Sequence, residues 1–414
     1  MKLTLPYGDS TTEIEVDDDR VQAYIEPAHF DKRDLKDLLR ESLEDSYALS
    51  LEEFLKGKKS ILLVVNDLTR PTPTAKVLEV LLPLLGDREL KFIIATGSHK
   101  PPGKPGLKTI LGEGVYEAHK KEVYSHEAKD DVFLRYAGET SRGNSIYLNK
   151  MLWLVDGVIN INSVEPHYFA GFTGGRKSFL PGVSSYKTIT KNHSFALEEG
   201  SQLCNLEGNP VNEDMEEAAA LVPKPIFSFN LVLDADNDVA GVFAGGLRES
   251  FRAACEFTLT KYTFSLEEKA DVVLAFVERP MSRDLYQTQK VIEPSKLALK
   301  EGGVLIFVSQ CDGGVGPENY YALMSSSTNP HEILMSIQQK YKLGYHKAAR
   351  LLEIATWADM YAVTDLEDHV LERVFMKPFS TAQEAVDTAL KEKGPQAKII
   401  IIKNALITIP QNKA

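Results

Sequence analysis

The sequence predicts an α/β protein of two domains, each built on a mostly parallel sheet flanked by helices. Three observations carry this. Short β-branched apolar runs alternate with helical patterns, that pattern restarts after about residue 266, and 414 residues with 43% hydrophobic content exceed what one core usually supports. The expected domains are 1–268 and 269–414.

In chain order, "ILLVVN" at 61–66 reads as a buried strand, "TAKVLEVLLPLLG" as a helix and "KFIIATG" at 91–97 as the next strand, which makes a βαβ unit. Val77, Leu78, Leu81 and Leu82 recur on one helix face, which should lie against the sheet. "LVDGVININ" at 154–162 reads as a further buried strand. The second domain opens with "DVVLAFV" at 271–277, a helix over "DLYQTQKVIEPSKLALKEG" and the strand "GVLIFVS" at 303–309, a crossover of the same kind. Near the end, Ser380 and Gln383 stand at capping-box spacing ahead of a helix that leads into the strand "KIIII" at 398–402.

Composition excludes several classes. A net charge of -12, from 59 acidic against 47 basic residues, argues against a nucleic-acid surface, which needs clustered cations in excess. Three scattered cysteines, Cys204, Cys255 and Cys311, make neither a disulfide framework nor a thiolate zinc site. No apolar run approaches the roughly 18 residues of a membrane span. A cytoplasmic protein is expected, with neither membrane nor nucleic acid as partner.

Ligands of open α/β sheets sit beyond the carboxyl ends of the strands, and the distinctive polar residues fall there: "NDLTRP", "TGSHKPP" and "SVEPHYFAGFTGGRK" each follow a strand. The last resembles a phosphate loop in outline, but Arg176 stands where that motif needs glycine before the lysine. A tight turn with a solvated Arg-Lys tip and an anion cradle of backbone N–H groups both remain open. Of nine histidines, His99, His167 and His193 lie at or near strand-end loops. His29, His119, His126, His331, His346 and His369 occupy polar or helical contexts without a partner pattern. Asp67 and Arg70 could pair with each other at a helix entry capped by Thr72 or Thr74, or Arg70 could offer a forked cation to a carboxylate. In "YQTQK", Gln287 and Lys290 share a helix face beside Tyr286.

Taken together, "NDLTRP", "ATGSHKP", "PHYFAGFTGGRKSFLPG", "NHSF" and "YQTQK" resemble, in order and across nearly the whole chain, the nickel-pincer lactate racemase family. The resemblance implies a nickel-pincer nucleotide, a pyridinium-3-thioamide-5-thiocarboxylate mononucleotide carrying Ni(II), joined covalently to Lys177 and ligated by His193. It implies His99 and His167 as paired acid/bases and Arg70 and Lys290 as ligands of the substrate carboxylate, with Tyr286 and Gln287 shaping the pocket. Trp357, whose match is looser, is either the pocket tryptophan or a core residue. Gly174 and Gly175 would let the backbone approach the cofactor, Asp67 would orient His99 or touch the cofactor, and nearby N–H groups would receive the phosphate. The implied activity is racemisation of small 2-hydroxy acids, lactate by default, in a protein matured by cofactor-building enzymes. Cofactor binding and catalysis would fall in the 1–268 domain, with the 269–414 domain completing the substrate pocket and the active site in the cleft between them. An additional cation at Arg176 would favour a second carboxylate, as in malate, or would face the cofactor phosphate. Two alternatives use the same residues: a non-catalytic anion- or cofactor-binding protein, and a zinc-dependent hydrolase with His99, His167 and His193 on the metal.

Overall fold

The computed structural model describes residues 1–27, 30–279, 281–405 and 407–412, so His29 lies outside it. The chain forms two compact units, His29–Lys261 and a second that joins Met1–Ala28 to Tyr262–Ala414. This differs from the expected 1–268 and 269–414 division mainly at the N-terminus. The strand Val21–Ile25 pairs in parallel with Ile399–Lys403, and the hairpin before it sends Leu5, Ile14 and Val16 into the core beneath that sheet.

The His29–Lys261 unit holds a six-stranded sheet in the spatial order Val239–Gly246, Ile226–Leu233, Gly157–Ser163, Ser60–Asn66, Glu89–Ala95, Val123–Ser125. Only Val239–Gly246 runs antiparallel to its neighbour. Ile61 to Val65 are fully buried, as a parallel strand covered on both faces requires. The helix Thr74–Leu85 buries Val77, Leu78, Leu81 and Leu85. Neither threonine caps it through its side chain, since Pro73 occupies the N-cap. Thr72 Oγ1 instead accepts from Asn66 Nδ2 at 2.9 Å and donates to Ser163 Oγ at 3.0 Å, tying together the carboxyl ends of two adjacent strands.

The other unit carries six parallel strands in the order Lys377–Pro378, Asp359–Val363, Leu299–Val308, Ala270–Phe276, Ile399–Lys403, Val21–Ile25. The crossover expected as one helix is broken into Leu285–Thr288, a 3-10 turn Gln289–Val291 and Ile292–Leu297, so Gln287 and Lys290 sit on different segments. The last helix is capped by Thr381, which accepts from Glu384 N, and not by the Ser380–Gln383 pair. Among the described residues no helix is long and apolar enough to cross a membrane.

Candidate active site

Asp67 leaves the end of its strand and turns back on itself. Its Oδ1 accepts from Thr69 N at 3.0 Å and Thr69 Oγ1 at 2.5 Å, while Oδ2 accepts from His99 Nδ1 at 2.8 Å. Burial alone would raise this carboxyl, but the bonds from His99 and Thr69 outweigh it and hold Asp67 below the ordinary carboxylate range. His99 follows the next strand over and its ring is 57% exposed. With Nδ1–H given to a carboxylate, its Nε2 carries the lone pair. Asp67 therefore orients His99, and both its oxygens are engaged within the protein.

Asp67 and Arg70 do not pair through their side chains. Arg70 Nη1 meets Glu165 Oε2 at 3.2 Å, which joins the loop after the first strand to the segment ahead of His167. His167 closes a short antiparallel ladder with Gly171, and its Nδ1 accepts from Ala170 N at 3.3 Å. That bond leaves the neutral ring with its proton on Nε2. The two candidate bases thus hold opposite tautomers.

The lysine loop is fixed by asparagines. Asn162 Oδ1 accepts from Gly175 N at 2.9 Å and Asn160 Nδ2 donates to Gly175 O at 3.1 Å. Lys177 N donates to Gly174 O, and Lys177 O accepts from Gly182 N, whose own carbonyl accepts from Gly97 N. The Gly175 and Lys177 N–H groups are therefore bonded to the protein and do not form the expected phosphate cradle. Gly174 and Gly175 have φ of +81° and +51°, and a Cβ on them would stand 2.5 Å from Asn162 Oδ1 and 2.6 Å from the Phe251 ring. Protein packing accounts for both glycines.

Arg176 is not a solvated tip. It is 2% exposed, donates to Asn212 Oδ1 and to the carbonyls of Ala170, Phe172 and Gly174, and lies 4.3 Å from the Phe251 ring centroid. Burial pulls it down to about 10. Its donors serve the turn itself, so the expectation that Arg176 receives a substrate carboxylate is withdrawn.

Phe169 gathers three of the candidates. Its ring centroid is 4.5 Å from that of His167 and 5.2 Å from that of His193, and Lys177 Nζ stands 5.5 Å from it. His193 lies on the helix Tyr186–Ser194, with Nδ1 3.1 Å from Asn192 Oδ1. Burial, followed by the charge on Lys177, pushes its imidazole down to about 3 and keeps it neutral. Among the described residues no three His, Cys, Asp or Glu side chains stand together as a metal-ligand set, so His99, His167 and His193 do not form the zinc site of the hydrolase alternative.

Comparison with known proteins bears on what such a site is for. Residues 7–204 match the lactate racemase N-terminal domain and residues 266–409 the lactate racemase C-terminal domain. The chain belongs to the lactate racemase family. It is 28% identical to the lactate racemase of Lactiplantibacillus plantarum over 98% of both chains, and 27% identical to that of Thermoanaerobacterium thermosaccharolyticum over 99% of both. The structure of the lactate racemase apoprotein from the latter organism superposes with a TM-score of 0.92, at 27% identity, covering 99% of this chain and 100% of that one. A Thermotoga maritima protein, 16% identical, shares the fold with a TM-score of 0.67 over 93% of this chain and all of its own. Membership of the family makes this chain a racemase, an enzyme of the isomerase class.

In the other unit of this lactate racemase family member, Tyr286 and Gln287 lie on the helix Leu285–Thr288, capped by Asp284, and Lys290 lies on the 3-10 turn that follows. Trp357 is elsewhere. It follows the helix Tyr345–Ile354, and its carbonyl accepts from Gly302 N before the strands Val304–Val308 and Asp359–Val363 come into register. That is the amino end of the parallel sheet, whereas Tyr286 follows the carboxyl end of Ala270–Phe276. A pocket role for Trp357 is therefore corrected. At the Tyr286 end of the same helix stands Lys347, which sequence reading passed over together with Glu165, Asn160 and Asn162. Lys347 is in phase with buried Leu351 and Ile354, and a lysine on an apolar stripe was the signal available.

Proposed function

We propose that this chain interconverts the enantiomers of small 2-hydroxy acids, with lactate as the reference substrate, using a nickel-pincer nucleotide tethered to Lys177 and ligated through His193. The grouping of Lys177, His193 and His167 around Phe169 carries this reading. The donor chemistry fits: one neutral imidazole beside one amine, with no further protein ligand set among the described residues, suits a metal whose other donors belong to the tethered group. Enzymes that build that group are the partners required.

Bound at Lys177, the nucleotide supplies a hydride acceptor, which spares the site from removing the weakly acidic proton at C2. The chain's own residues handle the hydroxyl proton. His99 takes it at Nε2, and the resulting imidazolium is balanced by Asp67, whose lowered pKa keeps it ionised. His167, once both ring nitrogens carry protons, is the acid at Nε2, and the neutral ring it leaves keeps its proton on Nδ1, so its 3.3 Å contact with Ala170 N is broken in both working states. Exchange of these two states between the rings serves the two enantiomers. Arg70, steadied by Glu165, and Lys290 each bind carboxylate.

The test is the mass of the Lys177 peptide from protein produced with the cofactor-building enzymes, together with nickel content and a chiral assay on lactate. A modified peptide, bound nickel and inversion at C2 are expected. An unmodified Lys177 without nickel in fully matured protein overturns the reading.

A further inference from the structure

Lys347 has no part in the racemase chemistry described above, although it stands against Tyr286. Its Nζ lies 3.3 Å from the Tyr286 ring centroid and donates to Tyr286 O at 3.3 Å. An ammonium has three donors, and among the described residues the other two find no acceptor and no carboxylate comes within ion-pair distance. Burial and the neighbouring charge of Lys290 both push its amine down, and Asp284 offsets this only in part. The ring beneath it is held rigidly. Tyr320 meets Tyr286 edge-on at 5.2 Å, and side chains at Gly316 or Gly344 would come within 2.5 Å of Tyr286 Cβ or 3.1 Å of its hydroxyl.

A buried cation beside a second cation is costly unless an anion completes it. Lys290 alone matches the single carboxylate of a 2-hydroxy monocarboxylic acid. Lys347 adds one positive group within the electrostatic reach of Lys290, and one more negative group on the ligand balances it. The second-carboxylate role expected of Arg176 thus has a different candidate residue.

We propose that Lys347, over the Tyr286 ring and beside Lys290, forms a subsite for a second carboxylate, so that the preferred substrate is a 2-hydroxy dicarboxylic acid. This rests on the racemase reading of Lys290, and it is tested both without and with turnover. Full-length protein is titrated calorimetrically with succinate, a non-reacting dicarboxylate, and with propionate. Succinate is expected to bind more tightly than propionate, Lys347→Met to weaken succinate by roughly 10- to 100-fold, and Lys347→Arg to retain most of the affinity. Matured enzyme is then assayed with malate and lactate, where Lys347→Met is expected to lower kcat/KM for malate selectively. Succinate binding no better than propionate, or unaffected by Lys347→Met while the variant keeps the parent's circular dichroism, overturns the subsite. Normal malate racemisation by that variant does so too. Absence of turnover on every 2-hydroxy acid, with Lys347-dependent succinate binding intact, counts against the racemase chemistry and leaves the subsite standing.

Discussion

Replacing Asp67 by asparagine separates a carboxylate that merely fills space from one that sets the tautomer of His99. Thr69 decides how the new amide must sit. Its N–H and hydroxyl both donate to Oδ1, at 3.0 and 2.5 Å, so the amide oxygen is retained there and the NH2 group takes the place of Oδ2, 2.8 Å from His99 Nδ1. A donor now faces Nδ1, the ring proton moves to Nε2, and the lone pair that accepts the substrate proton is lost. The charge effect is smaller. A unit charge about 4 Å away is worth roughly 4 kcal/mol at an effective dielectric of 20, and the exposure of the His99 ring reduces it to about 1 kcal/mol. Loss of the base dominates, so kcat/KM for either enantiomer should fall by roughly 10²- to 10⁴-fold. Chiral chromatography of lactate or malate in both directions measures this, with nickel content and the Lys177 adduct unchanged. Activity within about threefold of the parent enzyme would refute the tautomer argument.

Two further outcomes are expected. Arg176→Met leaves the carbonyls of Ala170, Phe172 and Gly174 without their donors and should cost about 3–5 kcal/mol in urea unfolding, so an unchanged midpoint would show the guanidinium to be dispensable. His126 is buried, with Nε2 donating to Ser184 O at 2.8 Å, and burial pushes it down from 6.5 to about 4. A depressed histidine binds its proton more readily in the unfolded chain, so its stability contribution is complete above pH 6.5 and is lost as pH falls through 4. The thermal midpoint of the parent should decline over that window, by the equivalent of up to about 3 kcal/mol, and His126→Gln should flatten the decline. Parallel curves would assign the sensitivity elsewhere.

The central strands were legible because full burial on both faces demands unbroken apolar runs, as in "ILLVVN" and "KIIII", and the loops behind them located His99, His167 and Lys177. What stayed hidden depends on contacts distant in sequence. Arg176 reads as exposed until the three carbonyls around it are seen, and Glu165 gives no local sign that its partner is Arg70. Trp357 and Lys347 are near in sequence, yet Lys347 stands at the Tyr286 end of the helix Tyr345–Ile354 and Trp357 follows its other end, at the amino end of the sheet. A motif position alone does not say which end faces the chemistry. The crossover after Phe276 broke into three segments where one helix was expected, with Pro294 and the 3-10 turn at Gln289–Val291 interrupting the periodicity.

The strand Val21–Ile25 completes an edge whose neighbour, Ile399–Lys403, is made of four isoleucines and a lysine. The two strands lie far apart in sequence, so Val21–Ile25 cannot dock until Ile399–Lys403 has been synthesised, and until they pair a bare, sticky β-edge lies open to other nascent chains. A fragment cut at residue 269 would carry that hazard permanently. Supplying residues 1–28 as a separate peptide is the direct way to cover it.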